Sequence, residues 1–381
     1  MIVKPKRESE TIEAGTEVRS ARRDADGDLL HWAARQRDDD KKRDAIVTRH
    51  SIAARKVGNG HRSRFQFGNF CLGCPLGVST SVWIEPSLLR DFAAEGTDAH
   101  RLCTYSDGWV ERFASDILVS YKSEVAKERL TTELYLWALN ADFKFGRVFG
   151  RYLPKQNAER ETPKLIVGDS NTNLQSVASE RLLLYGIDFA AGYSVGLFLD
   201  QRANRQFVRR AAPKSLLNCF AYTCSFSVAA ASVGATTVNI DLSKKSLVRG
   251  RENFALNSLP TTDHRFVPDD VFEVLPQLIR RGGKFDVIIL DPPTFSRSWR
   301  RKVFQVERDF ESLLVLALEL AERDGHILIS TNCMKLNEHA LEVMARFCLR
   351  STRRAGTFHR EPPLPDFPLG NAARSIWLKL R

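Results

Sequence analysis

The chain has no apolar run of membrane length. Stretches such as Leu313–Leu318 are short and followed by charge, whereas a spanning helix needs roughly 18 apolar residues in a row. It has no disulfide framework either. The 7 cysteines are odd in number and scattered at positions 71, 74, 103, 219, 224, 333 and 348, which points to a reducing compartment. Cys71 and Cys74 form a single C-x-x-C, but a structural zinc site takes four ligands. His50 and His61 are too loosely spaced to complete one, so no metal site is expected. The N-terminus lacks the apolar core of a secretory signal. Its acids, Glu8, Glu10, Glu13, Glu17, Asp24, Asp26 and Asp28, argue against an import peptide. A cytoplasmic location without membrane contact is expected. With 43% hydrophobic and 27% charged residues, collagen-like and fully disordered chains are excluded as well.

What is there is a basic chain of 381 residues with a formal charge of +11. The length suggests two or three domains, and the charge favours a polyanionic partner, with nucleic acid first. Residues 1–65 carry 16 Lys/Arg and 11 Asp/Glu with few apolar residues. Such a segment buries too little to offset its ordering entropy and reads as a disordered basic tail. Residues 66–104 form a poorly defined lead-in, with one helix at Pro86–Ala94. Residues 105–190 read as a small α+β domain, opening on a hairpin of Gly108–Phe113 and Asp116–Tyr121.

From Ser215 the pattern alternates strand and helix. Leu216–Phe220, Thr237–Ile240, Arg265–Val267, Phe285–Leu290 and His326–Ser330 read as strands. Ser225–Ser232, Ser243–Leu256, Val271–Arg281 and Phe304–Arg323 read as helices, with Ser243 as an N-cap. Phe285–Leu290 is a nearly continuous apolar run of the kind buried on both faces. The alternation means a parallel, doubly wound sheet over residues 191–381. Ligands of such sheets sit beyond the carboxyl ends of the strands.

Four features collect there. The first turn is Tyr222-Thr-Cys-Ser-Phe226; it has no glycine, which argues against a nicotinamide-binding Gly-x-Gly-x-x-Gly site. Asp241 ends the second strand, where an acid can accept from a ribose diol; its alternative is to cap the next helix. Asp270 can accept from an adenine amino group or cap the helix that starts at Val271. Asp291-Pro-Pro-Thr-Phe295 follows the fourth strand. Its prolines stiffen the loop and leave carbonyls free, and Phe295 can stack on a base.

Through these residues the chain resembles the class I S-adenosylmethionine-dependent methyltransferases. Within them it is similar to the bacterial 23S rRNA large-subunit base methyltransferases, the group of the cytosine-C5 and guanine-N7 enzymes. The matching stretches are Gly196–Arg205, Leu217–Phe226, Asp269–Phe272 and Phe285–Ser296, and the resemblance covers roughly residues 98–381. It implies an α/β fold: a doubly wound, mostly parallel, seven-stranded Rossmann-like sheet preceded by a small α+β domain. It further implies S-adenosylmethionine as cofactor, RNA as partner, and Gln201, Arg202, Tyr222, Thr223, Asp241 and Asp270 as lining of the cofactor pocket. Asp291, Pro292, Pro293, Phe295 and Asn332 are the expected catalytic set. Cys224 stands where the family has glycine. Asn332 aligns with the family's C5 nucleophile, and Cys333 falls one residue late. Methylation of a purine nitrogen is therefore the expected reaction. Pyrimidine C5 methylation through Cys333 and a degenerate fold that only binds RNA are the alternatives.

Overall fold

The computed structural model describes residues 83–154, 160–297, 303–368 and 372–381. The expected tail at 1–65 and the first part of the lead-in lie outside the described residues.

Helix α1 (Pro86–Ala94) precedes a five-stranded sheet of β1 (Ala99–Tyr105), β2 (Gly108–Phe113), β3 (Asp116–Tyr121), β4 (Val148–Tyr152) and β5 (Lys164–Val167), with α2 (Glu124–Asn140) connecting β3 to β4. This sheet begins at Ala99 rather than near 105, and Trp83 already bridges to Cys103. The lead-in thus supplies both a helix and an edge strand. The β3–β4 pair is parallel, as its helical crossover requires. A hairpin of β6 (Gln175–Glu180) and β7 (Leu183–Asp188) follows.

The second sheet is built from β8 (Ser215–Cys219), β9 (Thr236–Ile240), β10 (His264–Val267), β11 (Phe285–Leu290), β14 (Ala321–Thr331), β15 (Gly356–His359) and β16 (Arg374–Leu380). The numbers β12 (Phe295–Arg297) and β13 (Val303–Gln305) belong to a small separate hairpin. Strand order is β10-β9-β8-β11-β14-β16-β15, and only β16 runs antiparallel to its neighbours. The expected doubly wound, seven-stranded sheet is what the chain forms. Its order reverses between β8 and β11.

Helices cover both faces: α3 (Arg202–Ala211), α4 (Ser225–Ala231), α5 (Lys244–Leu256), α6 (Val271–Arg280), α7 (Val306–Leu320) and α8 (Glu338–Ser351). Strand β11 shows why its sequence is so apolar. Ile288 and Leu290 join a core with α6, α7 and α8, while Val287 and Ile289 pack with Val208 of α3 and Phe226 and Ala230 of α4. Alternate residues face opposite layers, and both layers are dry. The helix expected at Phe304–Arg323 is shorter at both ends. Phe304 pairs in the β12–β13 hairpin, and Ala321 already belongs to β14.

One carboxylate fastens the small sheet to the large one. Asp366, in the Pro-rich loop between β15 and β16, accepts from the Arg101 backbone N–H of β1 at 2.9 Å and from the Arg202 guanidinium of α3. Arg202 also donates to the Ala99 carbonyl at 3.2 Å. The pair is buried, with side chains 4% and 0% exposed.

Candidate active site

The carboxyl ends of β8, β9, β10, β11 and β14 converge at the point where strand order reverses, as ligand sites of open α/β sheets do. The turn after β8 has an unusual backbone. Phe220, Tyr222 and Cys224 have φ of 60°, 48° and 59°, so three non-glycine residues alternate into the left-handed region. Each costs of order 1–2 kcal/mol, and such strain persists only where the surroundings over-determine it. Here they do. Tyr222 N–H donates to Asp241 Oδ2 at 2.8 Å, and its hydroxyl donates to the Ser194 carbonyl at 2.7 Å. Thr223 donates to the Gly196 carbonyl, and Asn253 of α5 donates to the Thr223 carbonyl at 2.8 Å. The Cys224 side chain is fully buried, and burial, aided by the nearby Asp241 charge, pushes its thiol pKa up.

Asp241 occupies the end of β9. Its Oδ1 accepts from Ser243 N–H at 2.8 Å and its Oδ2 from Tyr222 N–H. Burial raises its pKa against the pull of these two N–H groups. Each carboxylate oxygen has further acceptor capacity, which a vicinal diol can use. Past β10, Asp270 caps α6 by accepting from Phe272 N–H at 3.0 Å, and Asp269 accepts from Asp270 N–H at 2.8 Å. Phe220, Phe272 and Phe304 form an aromatic group, with ring centroids 5.6 and 5.9 Å from Phe304. Carboxylates for a ribose diol beside flat apolar surface for a base suit a nucleoside. The residues present fit the adenosyl half of S-adenosylmethionine.

The loop after β11 supplies the other half of the site. Asp291 lies beside Ser330, because β11 and β14 pair in register through Leu290 and Ile329. Burial pushes the Asp291 carboxyl up to about 6, opposed by hydrogen bonds from Ser330 and Gln201. Gln201 Nε2 donates to Asp291 Oδ2 at 3.1 Å and to Ser330 Oγ at 2.9 Å. Pro292 is buried, while Pro293, Thr294 and Phe295 are exposed, Phe295 by 53%. Phe198, packed 5.4 Å from the Tyr222 ring, is the other exposed aromatic here. Asn332, just past β14, is exposed. Its neighbour Cys333 is 3% exposed, sits in the core with α7 and α8, and its thiol donates to Glu307 at 3.5 Å.

The expected site residues thus gather along one rim, with one qualification. The Arg202 charge is already matched by Asp366, so this residue serves the junction between the sheets. Sequence reasoning missed Ser330, Asn204 and Trp377, which connect to Gln201. The i, i+3 spacing of Gln201 and Asn204, one helical turn apart, was the available signal.

Comparison with known proteins agrees with this fold. Residues 124–368 match the family described as S-adenosylmethionine-dependent methyltransferase. The chain is 31% identical over 290 residues to ribosomal RNA large subunit methyltransferase I of Aeromonas hydrophila, covering 73% of this chain and 72% of that one. Among solved structures, it shares the fold of a protein complexed with S-adenosylhomocysteine, at TM-score 0.66 and 24% identity, over 77% of this chain and 78% of the other. It also shares that of an S-adenosylmethionine-dependent methyltransferase from Agrobacterium tumefaciens, at TM-score 0.58 and 19% identity, over 74% and 90%. The chain belongs to the S-adenosylmethionine-dependent methyltransferase family.

Proposed function

We propose that this enzyme methylates a base of RNA, ribosomal RNA first, and that the acceptor atom is a purine nitrogen. The names of its relatives and its formal charge of +11 support an RNA substrate. Within the large-subunit enzymes, the reading favours the nitrogen-methylating branch over the C5 branch. The observation that carries this choice is the contrast between neighbours. Asn332 is exposed at the end of β14, whereas Cys333 is buried and its thiol is bonded to Glu307. A C5 enzyme needs a thiolate that reaches C6 of the pyrimidine, and a thiol buried in the core with α7 and α8 is poorly placed for that.

In this reading Asp241 holds the ribose of the cofactor and Asp270 stands near its adenine. Tyr222 and Thr223 form the turn beneath it. When bound, S-adenosylmethionine supplies an electrophilic methyl group. The protein's part is placement of the base. Phe295 stacks on its face, the carbonyls of the Pro292-Pro293 loop accept from its edge, and Asn332 both donates and accepts there. Asp291 anchors this loop, and with a pKa of about 6 its carboxylate can accept a proton near neutral pH. The deciding experiment is mass mapping of modified nucleosides in ribosomal RNA from a deletion strain. One missing methylpurine, restored by the gene in trans, is the expected result. A missing 5-methylpyrimidine would overturn the choice of nitrogen, and an unchanged map would overturn ribosomal RNA as substrate.

A further inference from the structure

We infer that Trp377, Asn204 and Gln201 form a buried relay of one-directional hydrogen bonds that fixes which face of the Gln201 amide meets Asp291, which makes Gln201, Asn204 and Trp377 positioning residues for the reaction loop. The inference rests on the proposed role of the Asp291 loop and not on the identity of the RNA.

The chain of donors begins in the core. Trp377 on β16 is fully buried, and its indole N–H donates to Asn204 Oδ1 at 2.9 Å. An indole nitrogen can only donate, so the Asn204 atom facing it must be the oxygen. The Asn204 amino group is thereby turned outward, where it donates to Gln201 Oε1 at 2.7 Å and to Ser375 Oγ at 3.1 Å. The same logic then applies one step on. An amino group faces Gln201, so Gln201 must answer with its carbonyl oxygen. Its own amino group is left to face Asp291 at 3.1 Å and Ser330 at 2.9 Å. Asn204 and Gln201 are 4% and 2% exposed. At that burial an unmatched polar atom costs about 1–3 kcal/mol, which penalises any flipped arrangement.

Without the relay, an amide flip would leave Gln201 presenting its carbonyl oxygen to the Asp291 carboxylate, oxygen against oxygen. The relay excludes this from a distance, through a residue on β16. The charged groups acting on Asp291 are Asp200, which raises its pKa, and Arg205, which lowers it. Neither belongs to the relay, so the relay's share can be measured separately.

The test is a carbon-13 titration of the aspartate carboxyls in the full-length protein, with the Asp291 signal assigned by its loss in Asp291→Asn. Gln201→Leu removes one donor to the charged form and should raise the Asp291 midpoint by about one pH unit or more. Trp377→Phe and Asn204→Leu leave Gln201 itself in place. Each should raise the midpoint in the same direction, because the Gln201 amide is then free to turn. S-adenosylhomocysteine affinity, measured alongside by calorimetry, reports separately on the cofactor pocket. If Gln201→Leu moves the midpoint but neither of the other two does, the relay is refuted. If none moves it, Gln201 does not position Asp291 at all. Trp377→Phe and Asn204→Leu test the same link from two sides, so one misfolded variant leaves the other to decide.

Discussion

A β-carbon on Gly250 would lie 2.5 Å from the sulfur of Cys224. The cysteine stands in the cofactor turn at a left-handed position that glycine would occupy without strain. The absence of a side chain on α5 makes room for it. The two residues are therefore coupled between the turn and α5, and the double exchange is the natural test. Gly250→Ala alone should destabilise by about 1–3 kcal/mol through overpacking. In the Cys224→Gly background that cost should largely disappear, which thermal melts of the four variants would read as a coupling energy. Additive effects would show that the sulfur has somewhere else to go.

Asp241→Ala should weaken S-adenosylmethionine and S-adenosylhomocysteine alike, by roughly 1–3 kcal/mol, because acceptors for the ribose hydroxyls are lost. Calorimetry measures both. Equal affinity in the variant would remove ribose from the list of Asp241 partners.

Asp291 and Cys333 separate the two chemistries. Asp291→Ala should abolish methyl transfer while S-adenosylhomocysteine still binds, and Cys333→Ser should be nearly silent. A C5 enzyme would behave in the opposite way at Cys333, since an alcohol is a far weaker nucleophile than a thiolate. RNA carrying 5-fluoropyrimidine would then trap a covalent adduct that vanishes in Cys333→Ser.

The raised pKa of Asp291 also has a sign in stability. Its folded value is about 6 against an ordinary 3.8. The folded state holds that proton more tightly, so this group's favourable contribution is complete below about 3.8 and is lost as pH rises through about 6. Asp291→Asn should therefore melt higher than wild type at pH 7 to 8, and its advantage should shrink towards pH 4. A difference independent of pH would mean that the carboxyl is not the group responsible.

Arg205 of α3 and Glu180 of β6 form a bidentate pair whose side chains are 2% and 5% exposed. Removing one partner of such a pair leaves a buried charge, so Glu180→Ala should cost about 3–5 kcal/mol. Denaturant melts would check it, and a loss below 1 kcal/mol would indicate that water reaches the guanidinium.

The central sheet was legible because its residues obey local rules. Strand β11 is apolar on both faces, Ser243 caps α5 by accepting from Ser246 N–H, and Asp270 caps α6. Helix α3 was not legible, because it buries Arg202, Asn204 and Arg205 where periodicity looks for apolar residues. These side chains are buried at acceptable cost only because Asp366, Trp377 and Glu180 meet them, and none of those lies nearby in sequence. Strand β1 was hidden for the same reason. Its Arg101 is paired with Glu111 across the sheet and stacked 4.0 Å over Phe367. In the site, the strand-end acids could be read from spacing. The left-handed turn and the room left by Gly250 could not, since both depend on what α5 brings against residue 224.

The junction at Asp366 sets a timetable for biosynthesis. Its partners Arg101 and Arg202 precede it by 265 and 164 residues, so they are made well before it. Domains form from the N-terminus as the chain is translated, so the Arg202 bond to the Ala99 carbonyl can form first, whereas the carboxylate that matches the Arg202 charge arrives only with the loop before β16. A chain that stalls or is cut just before this loop would carry nearly every residue of the methyl-donor pocket with the buried Arg202 charge at the junction unmatched.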